Sequence, residues 1–236
     1  MTAGAKDQPQ PLLSHLTELR WRLVRVMAAV VLGSIVGLVF ANQITDILRV
    51  PCNACDFQAI APAEEFSVLM KVAVFAGVFL GSPVILYQLW AFISPALTSR
   101  ERKWAIPVVT ASVVLFACGI AFGYWSLPKA FEFLTGIFLE VESNFRLGEY
   151  MSFVIRFLLA FGLSFLYPVF LFGAAAAGLV TSRQLARGRR WAVLLIVVAA
   201  AAITPTGDVL TLSFLSVPLY LFYETTYWLV RLLLRK

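Results

Sequence analysis

The stretch that decides the fold runs from Ser82 to Arg102 and reads SPVILYQLWAFISPALTSRER. It begins inside an apolar run, and the charged residues Arg100–Lys103 lie at its end. Tyr87, Gln88 and Trp90 give its second half the amphipathic, aromatic character of a membrane interface. We therefore interpret this stretch as the end of a membrane helix that delivers a short, charged loop to one surface.

The composition around this stretch is that of a membrane protein. The chain has 236 residues, of which 61% are hydrophobic and 14% are charged. Soluble domains are about half apolar and about a quarter charged. The net charge of +6 suggests a nucleic-acid partner at first. However, the basic residues lie in short loops between apolar runs, which is the positive-inside pattern, so we expect a lipid bilayer and no nucleic acid.

The apolar runs predict a single, all-α integral membrane domain over residues 1–236. The fifth and sixth runs are short, because each gives a helix of ~20 Å, whereas the hydrocarbon core is ~30 Å thick. Such short spans call for local bilayer thinning or for a partner that covers the mismatch. The sequence also predicts a polar connection over 41–65 and an amphipathic surface helix over 129–142. The six predicted transmembrane helices are approximately 23–40, 66–92, 104–127, 151–180, 191–203 and 209–222.

The basic residues also predict the orientation. Most of the 19 Lys and Arg residues fall in the N-terminal tail, in the loops 94–103 and 181–190, and at the C-terminus. With six spans, all of these segments lie on one side of the membrane. Loops rich in Lys and Arg stay in the cytoplasm, so we expect both termini to be cytoplasmic.

Two acidic residues lie among arginines on this predicted cytoplasmic side. Glu18 belongs to the segment HLTELRWRL, His15–Leu23, and Glu101 belongs to the charged loop. One interpretation is that they neutralise the neighbouring arginines, and the charge pattern alone favours it. The other is that the two carboxylates form a receptor for a basic ligand.

Asp208 and Glu224 flank the sixth predicted span. Ionisable groups near the membrane are costly and often functional. Asp208 follows Gly207, however, and can cap the last helix. A structural and a functional role therefore both stay open.

Cys52 and Cys55 form a C-x-x-C pattern in a loop that we predict to lie outside. A Cys/His metal site is disfavoured, because the only histidine, His15, lies on the other side. The oxidising outer face favours a small disulfide over redox chemistry. The sequence has no nucleotide-binding or hydrolase motif, so we expect no enzymatic activity, no metal and no cofactor.

Five segments taken together resemble the TatC family, the signal-reading subunit of the twin-arginine protein translocase. They occur in order from Leu13 to Glu224 and read HLTELRWRL, SPVILYQLWAFISPALTSRER, YMSFVIRFLLAFGLSFLYPV, AAITPTGDV and VPLYLFYE. The resemblance implies a cupped bundle of six helices with short fifth and sixth spans and both termini cytoplasmic. It also implies residence in the cytoplasmic membrane of a prokaryote.

The resemblance implies a receptor for folded precursor proteins that carry a twin-arginine signal peptide. In the family, the glutamates that match Glu18 and Glu101 bind the arginine pair, and the phenylalanine that matches Phe92 lies nearby. We add Arg20, which neighbours Glu18, to the predicted site. The pairing suits the chemistry, because a guanidinium group binds a carboxylate through two parallel hydrogen bonds and a lysine does not.

The resemblance also implies partners. Members of the family work with single-span proteins of the TatA and TatB type and self-associate in the receptor complex, and the proton-motive force drives export. The fifth and sixth spans resemble the partner-docking and oligomer-contact region. Leu166 is a departure, because members often carry a glutamate just before the mid-helix proline. The residues assigned to partner docking or to structure are Thr204, Pro205, Asp208 and Glu224, together with Pro51, which matches a family proline.

The main alternative is a small-solute secondary transporter. Such a protein would need polar sites at the bilayer midplane and internal repeats. The sequence shows neither convincingly. Binding of a twin-arginine precursor would separate the two functions.

Overall fold

The computed structural model describes residues 12–52, 57–58, 62–93, 105–137, 145–176, 178, 180–203 and 209–234. Helices dominate these residues, as the sequence predicts; the exception is one parallel pair of two-residue strands. Val50–Cys52 is a 3₁₀ turn, and Val230–Leu234 is a π-helical end to the last helix. The elements are α1 (Leu12–Val39), α2 (Ala41–Arg49), β1 (Phe57–Gln58), α3 (Pro62–Ile93), α4 (Ala105–Ile137), β2 (Phe145–Arg146), α5 (Leu147–Phe165), α6 (Tyr167–Ala176), α7 (Ser182–Ile203) and α8 (Val209–Leu229).

Two of the predicted connections are wrong in part. Residues 129–137 do not form a separate surface helix, because α4 continues through Pro128 as far as Ile137. The connection 41–65 contains the helix α2. Its buried residues Ala41, Thr45 and Leu48 recur every three or four positions, which is the spacing of one helix face.

The fourth predicted span, 151–180, consists of two helices that meet at Leu166. Pro168 has no N–H to donate to the carbonyl of Ser164, and its ring would clash with that carbonyl in a continuous helix. The N–H of Leu166 bonds instead to the carbonyl of Leu163 at 3.1 Å, which closes a tighter turn. The proline therefore separates α5 from α6.

α1 and α3 pack closely, because glycines line the seam between them. A Cβ on Gly33 would lie 2.9 Å from the carbonyl oxygen of Gly77, and one on Gly77 would lie 2.6 Å from that of Val30. Gly33 and Gly37 have the four-residue spacing that lets membrane helices approach backbone to backbone. The opposite face of α1 is exposed and apolar, with Met27 as one example.

The core lies around α5. Phe161 is fully buried, and its ring centroid is 4.6 Å from that of Phe157 and 5.8 Å from that of Phe122 on α4. Phe165 meets Phe222 of α8 edge to face at 4.7 Å. Such aromatic pairs each stabilise a fold by about 0.5–1.5 kcal/mol beyond the area that they bury.

Two tyrosines hold α2 against the bundle. The last carbonyl groups of a helix lack their usual partner four residues on, and that of Ile47 accepts the N–H of Val50 instead. Tyr124 on α4 donates its hydroxyl to the carbonyl of Ile47 at 2.9 Å, and Tyr150 on α5 donates to that of Leu48 at 2.8 Å. These bonds anchor the end of α2 to two of the long helices.

Within the described residues, four helical segments are long and apolar enough to cross a membrane, namely Thr17–Val39, Ala63–Phe92, Ile106–Glu132 and Leu147–Ala176. α7 and α8 have 22 and 21 residues, so the helices are longer than the predicted spans 191–203 and 209–222. The first nine residues of α7 include four arginines. Its apolar part therefore remains short, and the count of six spans stays a prediction.

Candidate functional site

Glu18 lies near the start of α1 and pairs with Arg22 one turn further along. Its Oε1 atom accepts a hydrogen bond from Nε of Arg22 at 2.9 Å and a second one from Nη2. The side chains of Glu18 and Arg22 are 31% and 18% exposed. The four-residue separation places both side chains on one helix face, where opposite charges stabilise the helix by about 0.2–0.5 kcal/mol.

Arg22 connects this pair to α3. Its Nη1 atom donates a hydrogen bond of 3.2 Å to Oε1 of Gln88, which is buried near the end of α3. A chain of carboxylate, guanidinium and amide groups therefore joins the start of α1 to the end of α3. This connection fixes the position of the Glu18 carboxylate.

One oxygen of that carboxylate stays available. Oε2 of Glu18 makes no hydrogen bond or ion pair with the part of the chain that the structure describes. The contact with Arg22 is the one that the neutralising interpretation requires. A carboxylate oxygen without a partner among the described residues, on a partly exposed side chain, is what a receptor for a guanidinium group requires.

The charge of α1 around Glu18 is net positive, because residues 18–25 hold one glutamate and three arginines. Arg20 and Arg25 are exposed on the same helix, and neither forms an ion pair with a described residue. This local charge does not by itself attract a cationic ligand. Recognition at this position would depend on short-range geometry and on a second acid. Glu101, the predicted second acid, lies outside the described residues.

The end of α3, next to this site, is held in place by contacts with α4 and α6. Trp90 is buried and donates its indole N–H to Oγ of Ser112 on α4 at 3.3 Å. Its ring packs so closely on Gly173 of α6 that a Cβ there would lie 2.5 Å from it. Phe92 lies one turn after Gln88 and is half-buried.

The assignment of Glu18 and Phe92 to the site stays a prediction, and sequence reasoning missed the contact between Arg22 and Gln88. An isolated glutamine in an apolar run was the available signal, because a buried amide needs a hydrogen-bond partner. Of the residues interpreted as interfacial, Tyr87 is exposed, whereas Gln88 and Trp90 are buried between helices.

The remaining predicted residues lie elsewhere. Glu224 joins α8 to α7, because its Oε2 accepts a 2.9 Å hydrogen bond from Nη2 of Arg189 and its Oε1 lies 2.8 Å from Nε. Pro51 is buried in the 3₁₀ turn after α2, and Cys52 beside it is disulfide-bonded. Cys55, Thr204, Pro205 and Asp208 lie outside the described residues.

Leu166, the departure from the family pattern, is buried against Leu86 and Phe116. An apolar side chain therefore fills this position between α3, α4 and α5. Among the described residues, no group of three His, Cys, Asp or Glu side chains could hold a metal ion.

The comparisons with known proteins agree on one family. Residues 14–218 match the family model described as "Sec-independent protein translocase protein (TatC)". The chain is 36% identical to the TatC protein of Aquifex aeolicus over 96% of this chain and 97% of that protein. It is 37% identical to that of Xylanimonas cellulosilytica over 94% and 83% of the two chains.

Solved structures give the same result. A crystal structure described as the twin-arginine translocase receptor TatC in DDM superposes with a TM-score of 0.81 at 35% identity, over 92% of this chain and all of that one. A second crystal structure of the receptor superposes with a TM-score of 0.79.

Proposed function

Because this chain belongs to the TatC family of Sec-independent protein translocase proteins, we propose that it is the receptor subunit of a twin-arginine translocase. It is a helical membrane protein of a protein-transport system rather than an enzyme. In this proposal it binds the twin-arginine signal peptides of folded precursors at the cytoplasmic face. The two termini lie on that face, and six helices cross the cytoplasmic membrane of a prokaryote.

The observation that carries the proposal is the placement of the Glu18 carboxylate. Arg22, which also donates to Gln88, holds one oxygen, and the other has no hydrogen-bond or ion-pair partner among the described residues. A guanidinium group of the ligand pairs with this oxygen, and Glu101 receives the second arginine. Phe92 and Arg20 lie at the same end of α1 and α3 and complete the site.

We expect partners along α7 and α8. Both helices expose large apolar side chains, among them Leu195 and Leu221. Single-span proteins of the TatA and TatB type dock on these faces in the proposal, and further copies of the chain associate in the receptor complex. Thr204, Pro205 and Asp208 belong to this docking region, whereas Glu224 positions α7 against α8 through Arg189. The proton-motive force supplies the energy for export.

The test is a binding titration of a twin-arginine signal peptide with the Glu18→Gln variant. Removing one partner of a desolvated charge pair costs roughly 2–5 kcal/mol, whereas an exposed pair contributes roughly 0–1 kcal/mol. Since 1.4 kcal/mol is tenfold, we expect the dissociation constant to rise tenfold or more. A lysine–lysine peptide should bind the wild type poorly and lose little more in the variant.

The matched control is Glu65→Gln, an exposed acid in the first turn of α3 at the other end of that helix. It removes the same charge, so its binding should stay within twofold of the wild type. If Glu18→Gln also binds within twofold, Glu18 only neutralises Arg22, and its assignment to the receptor site fails.

A further inference from the structure

A cavity with a charged lining lies between α3 and α5, at the end of the bundle opposite Glu18. Its volume is about 550 Å³. We call it the basic cavity, because its charged side chains are three bases and two acids, namely Lys71, Arg146, Arg156, Glu64 and Glu149.

Both acids of the basic cavity are already engaged. Oε1 of Glu64 accepts the backbone N–H of Gly148 at 2.8 Å, which ties α3 to the first turn of α5. Oε1 of Glu149 lies 3.3 Å from Nη1 of Arg146. Arg146 is thus the base of the cavity that has a carboxylate partner.

Lys71 and Arg156 remain without a carboxylate among the described residues. Nζ of Lys71 donates a hydrogen bond of 2.9 Å to Oγ of Ser152, which is a neutral partner. Arg156 is exposed and forms no hydrogen bond or ion pair with the described part of the chain. Two of the three bases of the cavity therefore have no ion-pair partner among the described residues, and the cavity holds one more base than acids.

Lys71 and Arg156 lie deep enough in their helices that an ionised side chain is costly unless an opposite charge lies near it. Lys71 follows the start of α3 by nine residues, and Arg156 follows the start of α5 by nine, so each lies ~13 Å along its helix. Both belong to segments apolar enough to cross a membrane. An ionised side chain at such a depth pairs with an opposite charge or extends toward the polar surface.

An apolar groove continues from the basic cavity along the same helix pair. Its volume is about 570 Å³, and Lys71 lines both spaces. Phe66, Met70, Val74 and Val78 of α3 form one wall. Ile155 and Leu159 of α5 form the other. The α3 wall is ~18 Å long at 1.5 Å per residue, which is about one leaflet of a ~30 Å hydrocarbon core.

We propose that the basic cavity and the groove together bind one anionic phospholipid. The phosphate lies between Lys71 and Arg156, and an acyl chain follows the groove past Val74 toward Leu159. Basic pockets between membrane helices bind anionic headgroups through this kind of charge complementarity. In the proposed topology this lipid belongs to the outer leaflet. The inference rests on membrane insertion of α3 and α5 and not on the receptor function.

The basic cavity leads directly into the apolar groove. This combination favours a lipid over the carboxylate of a partner helix. A carboxylate would satisfy the two cations but would leave the groove unfilled. Filling the groove without changing its charge therefore separates the two occupants.

The test is native mass spectrometry of delipidated protein titrated with phosphatidylglycerol or with phosphatidylcholine. The wild type should retain one phosphatidylglycerol in clear preference to phosphatidylcholine. Since each base near a headgroup contributes a modest, similar share of the binding, the double variant Lys71→Gln/Arg156→Gln should lose roughly 10- to 30-fold of that preference. Val74→Trp, at an exposed position in the groove, should weaken retention of both lipids.

The control variant Arg183→Gln/Arg187→Gln removes two exposed charges from α7 and should keep the preference. Equal retention of the two lipids by the wild type, or an unchanged preference in the Lys71/Arg156 variant, would overturn the proposal. So would normal retention in Val74→Trp, because the cations would then bind an anion without an acyl chain. Circular dichroism of each variant shows whether it is folded. The variant Arg156→Lys keeps the charge and should therefore retain most of the preference for phosphatidylglycerol.

Discussion

At the scale of single residues, one hydroxyl group connects distant parts of the chain. Tyr150 is buried, and its hydroxyl donates to the carbonyl of Leu48, which α2 itself leaves without a partner. Its ring packs against Phe57 and Phe131, with centroids 4.7 and 5.2 Å away. Tyr150 therefore joins the segment after α1 to the core around α5.

We predict that Tyr150→Phe lowers the free energy of unfolding by about 1–3 kcal/mol, because it leaves the Leu48 carbonyl buried without a donor. The ring packing stays intact. The measurement is an unfolding titration in detergent. Tyr87→Phe is the control, because Tyr87 is exposed and makes no hydrogen bond to a described residue. Equal stability of the two variants would show that the hydroxyl bond contributes nothing.

At the scale of residues, the sequence predicts contacts between side chains that are close together in the chain. The arginines around Glu18 are adjacent in sequence, so their competition for its carboxylate was visible. The contact of Arg22 with Gln88 was not, because it joins positions 66 residues apart and depends on how α1 packs on α3.

At the scale of elements, the seam between α1 and α3 depends on residues without side chains. Gly77 faces the backbone of Val30 and the hydroxyl of Ser34 at distances that exclude a Cβ. Gly81, one turn further along, meets nothing nearer than 3.5 Å. The two glycines therefore differ in packing while sharing one helix.

We predict that Gly77→Ala destabilises the protein by roughly 1–3 kcal/mol relative to Gly81→Ala, because overpacking forces the helices apart. Both changes gain about 1 kcal/mol of helix propensity, so their difference isolates the packing. The same detergent unfolding titration measures it. If the two variants unfold alike, α1 and α3 do not require close approach.

Not every helix boundary could be predicted from the sequence. Hydrophobic runs located α1, α3 and α4, but the break at Leu166 follows from the backbone chemistry of Pro168 inside an unbroken apolar run. Pro128, by contrast, sits within the continuous helix α4. Both prolines lie in apolar runs, so the local sequence does not distinguish them.

At the scale of the whole molecule, charge and apolar length together predict the topology. Four segments carry enough apolar length to cross a membrane. The arginines of α7 leave its apolar part short, so the last two crossings rest on the charge pattern and on the family. The all-helical fold was predictable, because the motifs of the family extend over nearly the entire chain, whereas the six-span count and the orientation of the termini stay predictions.

We predict that single cysteines at Gln184 and Asp46, both exposed, react from opposite sides of the membrane. A membrane-impermeant maleimide applied to intact cells should label position 46, and position 184 only after permeabilisation. The positive-inside rule is the reason. Labelling of position 184 in intact cells would contradict the six-span, both-termini-inside arrangement.

The central claim is that the ends of α1 and α3 receive a twin-arginine signal, and crosslinking from Phe92 tests it most directly. A photoreactive residue at position 92 should crosslink to a precursor whose signal carries two arginines and only weakly to one with two lysines. The same probe at Phe66, exposed at the other end of α3, should crosslink to neither. Equal crosslinking of both signals at position 92, or crosslinking only at position 66, would contradict the account.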